Sequence, residues 1–236
     1  MPVILFMKKF WKFFLDLLFP VVCLDCGREG YYLCRACKIK LKKNEVQLCP
    51  VCGKRSPFGL THSNCKTEYS LNGLISAVAY KEPIGRKLVE FCKYQFVSDI
   101  SEVMAKIISD EIEHLELQNY FSNFIFVPLP LHPARKRWRG FNQSELIAEK
   151  LSELSGIKYS DNLLVRKKKT KVQAELQDEE RKVNVREAFQ ATRKLDGMKL
   201  ILIDDVSTTR STLSEACAAL KKSGAVEVWG VTFAQG

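Results

Sequence analysis

Seven of the nine cysteines fall within the first 70 residues, and they do so in a repeating order. Cys23-Leu-Asp-Cys26 is followed after seven residues by Cys34-Arg-Ala-Cys37, and Cys49-Pro-Val-Cys52 after nine residues by His62-Ser-Asn-Cys65. The second set repeats the first at an offset of 26 residues, with His62 standing where a cysteine would complete the pattern. A Cys-x-x-Cys turn aims two thiolates at one point while backbone N–H groups support the sulfurs, and two such turns make a tetrahedral site that suits Zn2+. Gly27 and Gly53 each follow the second cysteine of a turn, where a tight knuckle favours a residue without a Cβ. A disulfide framework fits less well, because nine is an odd number and Cys92 and Cys217 lie far from the array. A redox Cys-x-x-Cys would occur once and in a βαβ setting. All four positions of each set are filled by protein, so the two zinc ions are structural and leave no place for a reacting water. The alternative for His62 is an ordinary surface histidine, leaving the second site with three ligands or no metal. A segment of about fifty residues also lacks the core to fold unaided, which metal binding would remedy.

Charge divides the chain at the same place. Residues 1–70 hold twelve Lys/Arg and five Asp/Glu, and the remainder 25 and 22, so most of the net charge of +10 sits at one end. Both shifts place a boundary near residues 69–72, giving a cysteine-rich domain over 21–70 and a second domain over 71–236. Two Zn2+ and seven thiolates lower the first segment from +7 to about +4. What remains suits an acidic partner such as nucleic acid, phosphate or anionic lipid. The hydrophobic share of 46% excludes a disordered chain, and no uncharged stretch is long enough to span a membrane.

Residues 1–20 read as an amphipathic helix. Lys8, Lys12 and Asp16 share one face, Phe6, Phe10, Phe13, Phe14 and Leu17 the other, and Pro20 ends the pattern. Such a helix either packs on its own protein, the favoured reading, or makes peripheral contact with a membrane through residues 4–19. The apolar run is interrupted by charges and has no cleavage site, so it is not an export signal. The expected compartment is therefore the cytoplasm, where thiols stay reduced.

From Leu71 onward, strands and helices alternate. Strands are expected over residues 74–80, 124–127, 200–203 and 226–233, and helices over 84–95, 100–115, 144–154 and 211–222. This is an α/β pattern, a parallel sheet flanked by helices, whose ligands bind beyond the strand C-termini. The sharpest motif lies at such a place: Leu200-Ile-Leu-Ile-Asp204-Asp205-Val-Ser-Thr208-Thr209-Arg210-Ser211-Thr212-Leu. Two carboxylates emerge where the strand ends, and hydroxyl residues lead into a helix N-terminus whose free N–H groups favour a phosphate. Like charges repel, so the carboxylates should face sugar hydroxyls or a hydrated Mg2+ rather than the phosphate itself. Simple helix capping explains one or two of the hydroxyls but not four beside paired aspartates. A phosphoacceptor aspartate lacks evident helper residues, and a P-loop or dinucleotide loop lacks its glycines.

This loop resembles the 5-phosphoribosyl-1-diphosphate (PRPP) motif of type I phosphoribosyltransferases, and the whole chain resembles the ComF (competence protein F) family. In that family a double zinc ribbon precedes a phosphoribosyltransferase domain. The resemblance rests on Leu17-Leu-Phe-Pro20; on Val127-Pro-Leu-Pro-Leu-His132 with Arg139-Gly-Phe-Asn-Gln143; on Thr170, Gln173, Arg181 and Asn184; and on residues 204–213. It implies that Asp204 and Asp205 hold the ribose hydroxyls with Mg2+ nearby. Thr208, Thr209, Arg210, Ser211 and Thr212 would then cradle the 5-phosphate, while Arg135, Arg137 and Arg139 meet the diphosphate. Residues 170–184 fall where such enzymes carry a mobile hood. For Lys167, Lys168 and Lys169 a solvated face is the preferred reading.

Two departures stand out. Arg210 occupies the usual glycine position, so it is either strained there, if positive φ is required, or free to add or block a phosphate contact. Thr208 replaces the carboxylate of purine-specific members, which argues against hypoxanthine or guanine as acceptor. The chemistry implied is displacement of diphosphate at the ribose C1, with the acceptor unspecified. The rival reading is a non-catalytic module of natural transformation that binds single-stranded DNA or senses PRPP, partnered by single-stranded DNA and other competence proteins. In that reading Lys38, Lys40, Lys42 and Lys43 attract the strand, and Tyr31 and Tyr32 stack on it. A weaker third reading is a scaffold that binds zinc and no ligand.

Overall fold

The computed structural model describes residues 20–94, 98–167 and 188–236. The expected N-terminal amphipathic helix and its membrane-contact alternative, the segment 170–184, and Lys168 with Lys169 lie outside the described residues, Pro20 excepted. The chain forms two compact units, Met1–Leu41 and Lys42–Gly236.

In the smaller unit, Val22 bridges Glu29 in antiparallel fashion, the Cys23 N–H donates to the Arg28 carbonyl at 2.8 Å, and Gly27 N–H to the Cys23 carbonyl at 2.9 Å. Helix α1 (Arg35–Lys40) follows and buries Cys37. In the larger unit the same local structure recurs 26 residues later. Leu48 bridges Arg55, the Cys49 N–H donates to the Lys54 carbonyl at 2.8 Å, and Gly53 N–H to the Cys49 carbonyl at 3.0 Å. The repeat in the sequence is thus a repeat of a hydrogen-bonded knuckle.

The rest of the larger unit runs β1 (Gly73–Ala79), α2 (Pro83–Tyr94), α3 (Ser98–His114), α4 (Gln118–Phe121), β2 (Ile125–Pro128), α5 (Pro133–Arg139) and α6 (Gln143–Ser155). It continues with β3 (Leu164–Arg166), β4 (Phe189–Ala191), β5 (Lys199–Ser207), α7 (Ser211–Lys222) and β6 (Glu227–Gln235). Four strands form a parallel sheet in the order β1-β6-β5-β2, and β3 pairs antiparallel with β4. The α/β architecture of a parallel sheet flanked by helices is therefore the one the alternation predicts. The β3–β4 pair and α5 have no counterpart among the expected elements, being too short to show a period.

The centre of the sheet is dry. Leu200, Ile201, Leu202 and Ile203 are fully buried, and Leu200 and Leu202 share a core cluster with Leu213, Ala216, Cys217 and Leu220 of α7. Helices α3 and α6 pack on each other and on the sheet, burying Ile100, Met104, Ile107, Ile147 and Leu151.

Strand β1 is a sheet edge, which left bare would expose its backbone. Polar residues of the cysteine-rich segment cover it. The Asn44 N–H donates to the Ala77 carbonyl at 3.0 Å and its side chain to the Ser76 carbonyl at 2.8 Å. Gln47 accepts from the Ser76 N–H at 3.0 Å and donates to the Ser76 carbonyl at 3.1 Å. Gly59 completes the cover: it lies so close to the Leu74 carbonyl that an added Cβ would stand 2.0 Å from that oxygen. All four parallel strands point their C-termini to one end, where Ala79 and Ser207 both align with Gln235, and Pro128 with Ile203. Among the described residues no helix is long and apolar enough to cross a membrane.

Candidate functional site

The two aspartates lie inside β5, not beyond it. The strand runs four residues past Ile203, and three of them are paired, Asp204 with Thr232, Val206 with Ala234 and Ser207 with Gln235. The strand outlasts its apolar run because β6 is equally long and supplies the ladder. Asp204 Oδ1 accepts from Ser144 Oγ and from the Asp205 N–H, both at 2.9 Å. Asp205 Oδ1 accepts from the Val206 N–H at 2.8 Å, and its Oδ2 stands 3.5 Å from Lys93 Nζ. Burial, reinforced by the neighbouring charge of Asp205, pushes the Asp204 carboxyl up to about 8, although its two donors pull the other way and part of the side chain still reaches solvent. Burial opposes the charge on Lys93, but Asp205, with Tyr80 and Asp204 behind it, wins and raises its pKa.

Next to this dyad the chain turns into α7 around a concave pocket of about 250 Å³, open to solvent and lined by Asp204, Val206, Ser207, Thr208, Thr209, Arg210, Thr212 and Leu213. Thr209 Oγ1 and Ser211 Oγ are 2.7 Å apart. Ser207, only 4% exposed, has a hydroxyl oxygen with no partner among the described residues. A buried hydroxyl left unsatisfied is costly, so this one suits a ligand atom. Arg210 adopts φ 60°, ψ −9° and is the N-cap of α7 without a side-chain capping bond. The positive φ that the loop demands is thus borne by an arginine.

The Arg-Gly-Phe-Asn-Gln segment leads into the residue that holds Asp204. His132 caps α5 by accepting from the Ala134 N–H at 3.2 Å, and Gly140 ends that helix in the left-handed region at φ 77°. Asn142 then accepts from the Ser144 N–H at 3.3 Å and donates to the Leu129 carbonyl at 3.1 Å. This double bond ties the start of α6 to the end of β2 and delivers Ser144 to Asp204. Arg135, Arg137 and Arg139 all lie on α5. Arg139 is half-buried, its charge acts on Cys92 and Lys93, and its buried Nε has no partner among the described residues. Arg137 is exposed. Of the expected residues, Asp204, Thr208, Thr209, Arg210 and Thr212 line one pocket; Asp205 and Ser211 adjoin it in the chain, and Arg135, Arg137 and Arg139 are not among its lining. Two contributors were not singled out from the sequence. Ser144 reads there as a helix start and Lys93 as an ordinary basic residue near a helix end; neither has a spacing that points at an aspartate.

The metal-ligand sets assemble as the spacing predicts. The ligand atoms of Cys23, Cys26, Cys34 and Cys37, and those of Cys49, Cys52, His62 and Cys65, each lie within 4.8 Å of one another. A zinc–sulfur bond of ~2.3 Å implies tetrahedron edges of ~3.8 Å, and Cys26 and Cys34 sulfurs stand 3.6 Å apart. His62 Nδ1 is 3.4 Å from Cys52 Sγ, while its Nε2 donates to the Arg55 carbonyl at 3.1 Å. That bond leaves the Nδ1 lone pair facing the thiolates, the tautomer a metal ligand needs. Burial works against ionisation of Cys23 and Cys49, yet backbone N–H donors bring them down to about 6 and about 7. Burial and their charged neighbours raise Cys37 and Cys65 instead. Four such donors cannot all be anionic without a cation, and Zn2+ meets the requirement in both sets. Cys92 and Cys217 are kept as neutral thiols, pushed up to about 12 by burial.

A family model described as a double zinc ribbon domain matches residues 14–66, which span both ligand sets. Competence protein F of Haemophilus influenzae is 29% identical, over 90% of this chain and 96% of that protein. Over nearly its whole length the chain is thus similar to a competence protein. Competence protein ComFC of Bacillus subtilis is also 29% identical to it, over 81% of this chain and 79% of that protein. DNA utilization protein YhgH of Escherichia coli is 28% identical, over 89% and 96%. A purine phosphoribosyltransferase from Pyrococcus horikoshii matches this chain with a TM-score of 0.31 and 13% identity, over 69% of this chain and 87% of that one.

Proposed function

We propose that this protein binds PRPP with Mg2+ at the β5–α7 loop and transfers or hydrolyses its phosphoribosyl group. The observation that carries the reading is one juxtaposition. The buried Asp204 carboxyl, expensive to ionise beside Asp205, stands next to a hydroxyl-rich helix start with an unsatisfied buried Ser207 hydroxyl. A ribose phosphate answers each feature. Its 5-phosphate meets the hydroxyl of Ser207 and the N–H groups and hydroxyls of Thr208, Thr209, Ser211 and Thr212, and its ring hydroxyls donate to Asp204 and Asp205. The same two carboxylates are the donors that would hold a hydrated Mg2+, whose charge favours departure of the diphosphate.

The chain's own residues do the rest. Ser144 and the Asp205 N–H orient Asp204, and Lys93 restrains Asp205 on its other side. Arg139, with Arg135 and Arg137 on the same helix, supplies positive charge for the diphosphate. With both ends of the substrate held, the C1–oxygen bond can lengthen toward an oxocarbenium-like state without a covalent nucleophile. The relatives named competence protein and DNA utilization protein support linking this chemistry to competence and DNA uptake. Titration calorimetry with PRPP and Mg2+, followed by measurement of diphosphate release with candidate acceptors, tests the reading. Saturable binding that the Asp204→Asn plus Asp205→Asn protein lacks is the expected result; heat identical in the two proteins would overturn it.

A further inference from the structure

The loop's arginine is held by contacts outside the pocket. With the Gln235 amide turned so that its oxygen faces Arg210, that oxygen accepts from Nε at 2.8 Å and from Nη2 at 3.1 Å, a two-point grip on the guanidinium. The third nitrogen lies against the second metal knuckle. A Cβ added to Gly53 would stand 2.8 Å from Arg210 Nη1 and 3.6 Å from Cζ. Gly53 follows the ligand Cys52, adopts φ +72°, and donates its N–H to the carbonyl of the ligand Cys49 at 3.0 Å. Arg210 in turn holds the left-handed conformation that lets the chain enter α7, and its carbonyl accepts from the Ser214 N–H at 3.0 Å. One side chain therefore lies against Gly53 of the metal knuckle while its own backbone opens the hydroxyl loop.

We propose that Arg210 is a positioning residue that latches the hydroxyl loop to the second metal site, so that metal bound by Cys49, Cys52, His62 and Cys65 and a phosphorylated ribose bound in the loop stabilise each other. The ligand half rests on the reading given above; the latch itself does not. The metal fixes the turn that presents Gly53, the bare face of Gly53 seats the guanidinium, and the seated guanidinium holds a residue that would otherwise leave the left-handed region. An occupied loop fixes Arg210 and so protects the knuckle. Coupling of this kind is reciprocal by necessity.

The zinc-loaded full chain provides the test, through zinc release to a colorimetric chelator with and without ribose 5-phosphate. The His62→Ala protein identifies which kinetic phase belongs to the second site. In the native protein, saturating ribose 5-phosphate should slow that phase about five-fold or more. In Arg210→Gly, which fits the backbone but has no side chain to seat, the phase should be faster even without ligand and unresponsive to it. Arg210→Lys keeps the charge but loses the fork and should behave likewise; so should Gln235→Ala, which leaves every pocket-lining residue in place. A ligand-free release rate in Arg210→Gly equal to the native rate would overturn the latch. Should ribose 5-phosphate fail to bind the native protein by calorimetry, the ribose-phosphate reading falls, while the ligand-free comparison still decides the latch.

Discussion

Replacing Asp204 with asparagine should stabilise the ligand-free protein, and increasingly so as pH rises. In the folded chain the carboxyl is pushed from 3.8 to about 8 by burial and by Asp205. A carboxyl that holds its proton more tightly when folded costs nothing below about pH 4 and loses stability progressively as pH climbs toward 8. At ~1.4 kcal/mol per tenfold change in the proton equilibrium, the full displacement would amount to several kcal/mol. Two features reduce it: part of Asp204 still reaches solvent, and Ser144 and the Asp205 N–H already serve its charge. Asparagine keeps an acceptor for both donors and places an amide beside Asp205, so about 1–3 kcal/mol should be recovered at pH 8. For a unit of this size, that corresponds to roughly 3–10 °C in Tm. The assay is calorimetric melting of the zinc-saturated proteins from pH 5 to pH 9. The native curve should fall with pH, the Asp204→Asn curve should stay nearly flat, and added Mg2+ should narrow the gap. Parallel curves, or a variant less stable at pH 8, would refute a dyad strained by its own charge.

Three further outcomes follow from the same contacts. Ser144→Ala removes a bond that favours the charged form of Asp204; it should cost about 1 kcal/mol at neutral pH and move the pH dependence of stability upward, as melting curves will show. Asn142→Ala loses both the α6 cap and the tie to Leu129, so urea unfolding should report a loss of about 1–2 kcal/mol. Metal analysis should find about two Zn2+ per chain, and His62→Ala should retain the first site while binding the second ion at least ~10-fold more weakly.

The elements legible in the sequence were those whose fate is decided locally. The four apolar residues ahead of Asp204 could only be a buried strand, and the 26-residue cysteine repeat carried its own knuckle geometry. The hydroxyl run placed the pocket before any coordinate did. What stayed hidden depends on partners distant in sequence. β5 reaches Ser207 because β6 pairs with it to Gln235, which no periodicity in β5 announces. Asn44 and Gln47 look like loop residues, yet they cover the backbone of β1. Ser144 and Lys93 acquire their roles only when α6 and α2 are laid beside the end of β5. Arg210 was visible as a misfit; that it leans on Gly53 of a metal knuckle was not, because the two are separated by most of the chain.

The most direct measurement is a high-resolution crystal structure of the zinc-loaded protein soaked with PRPP and Mg2+. The account predicts a ribose 5-phosphate moiety with its phosphate among Thr208, Thr209, Ser211 and Thr212 and its ring hydroxyls on Asp204 and Asp205. A map with that pocket filled only by solvent, or with the ligand bound elsewhere on the chain, would contradict it.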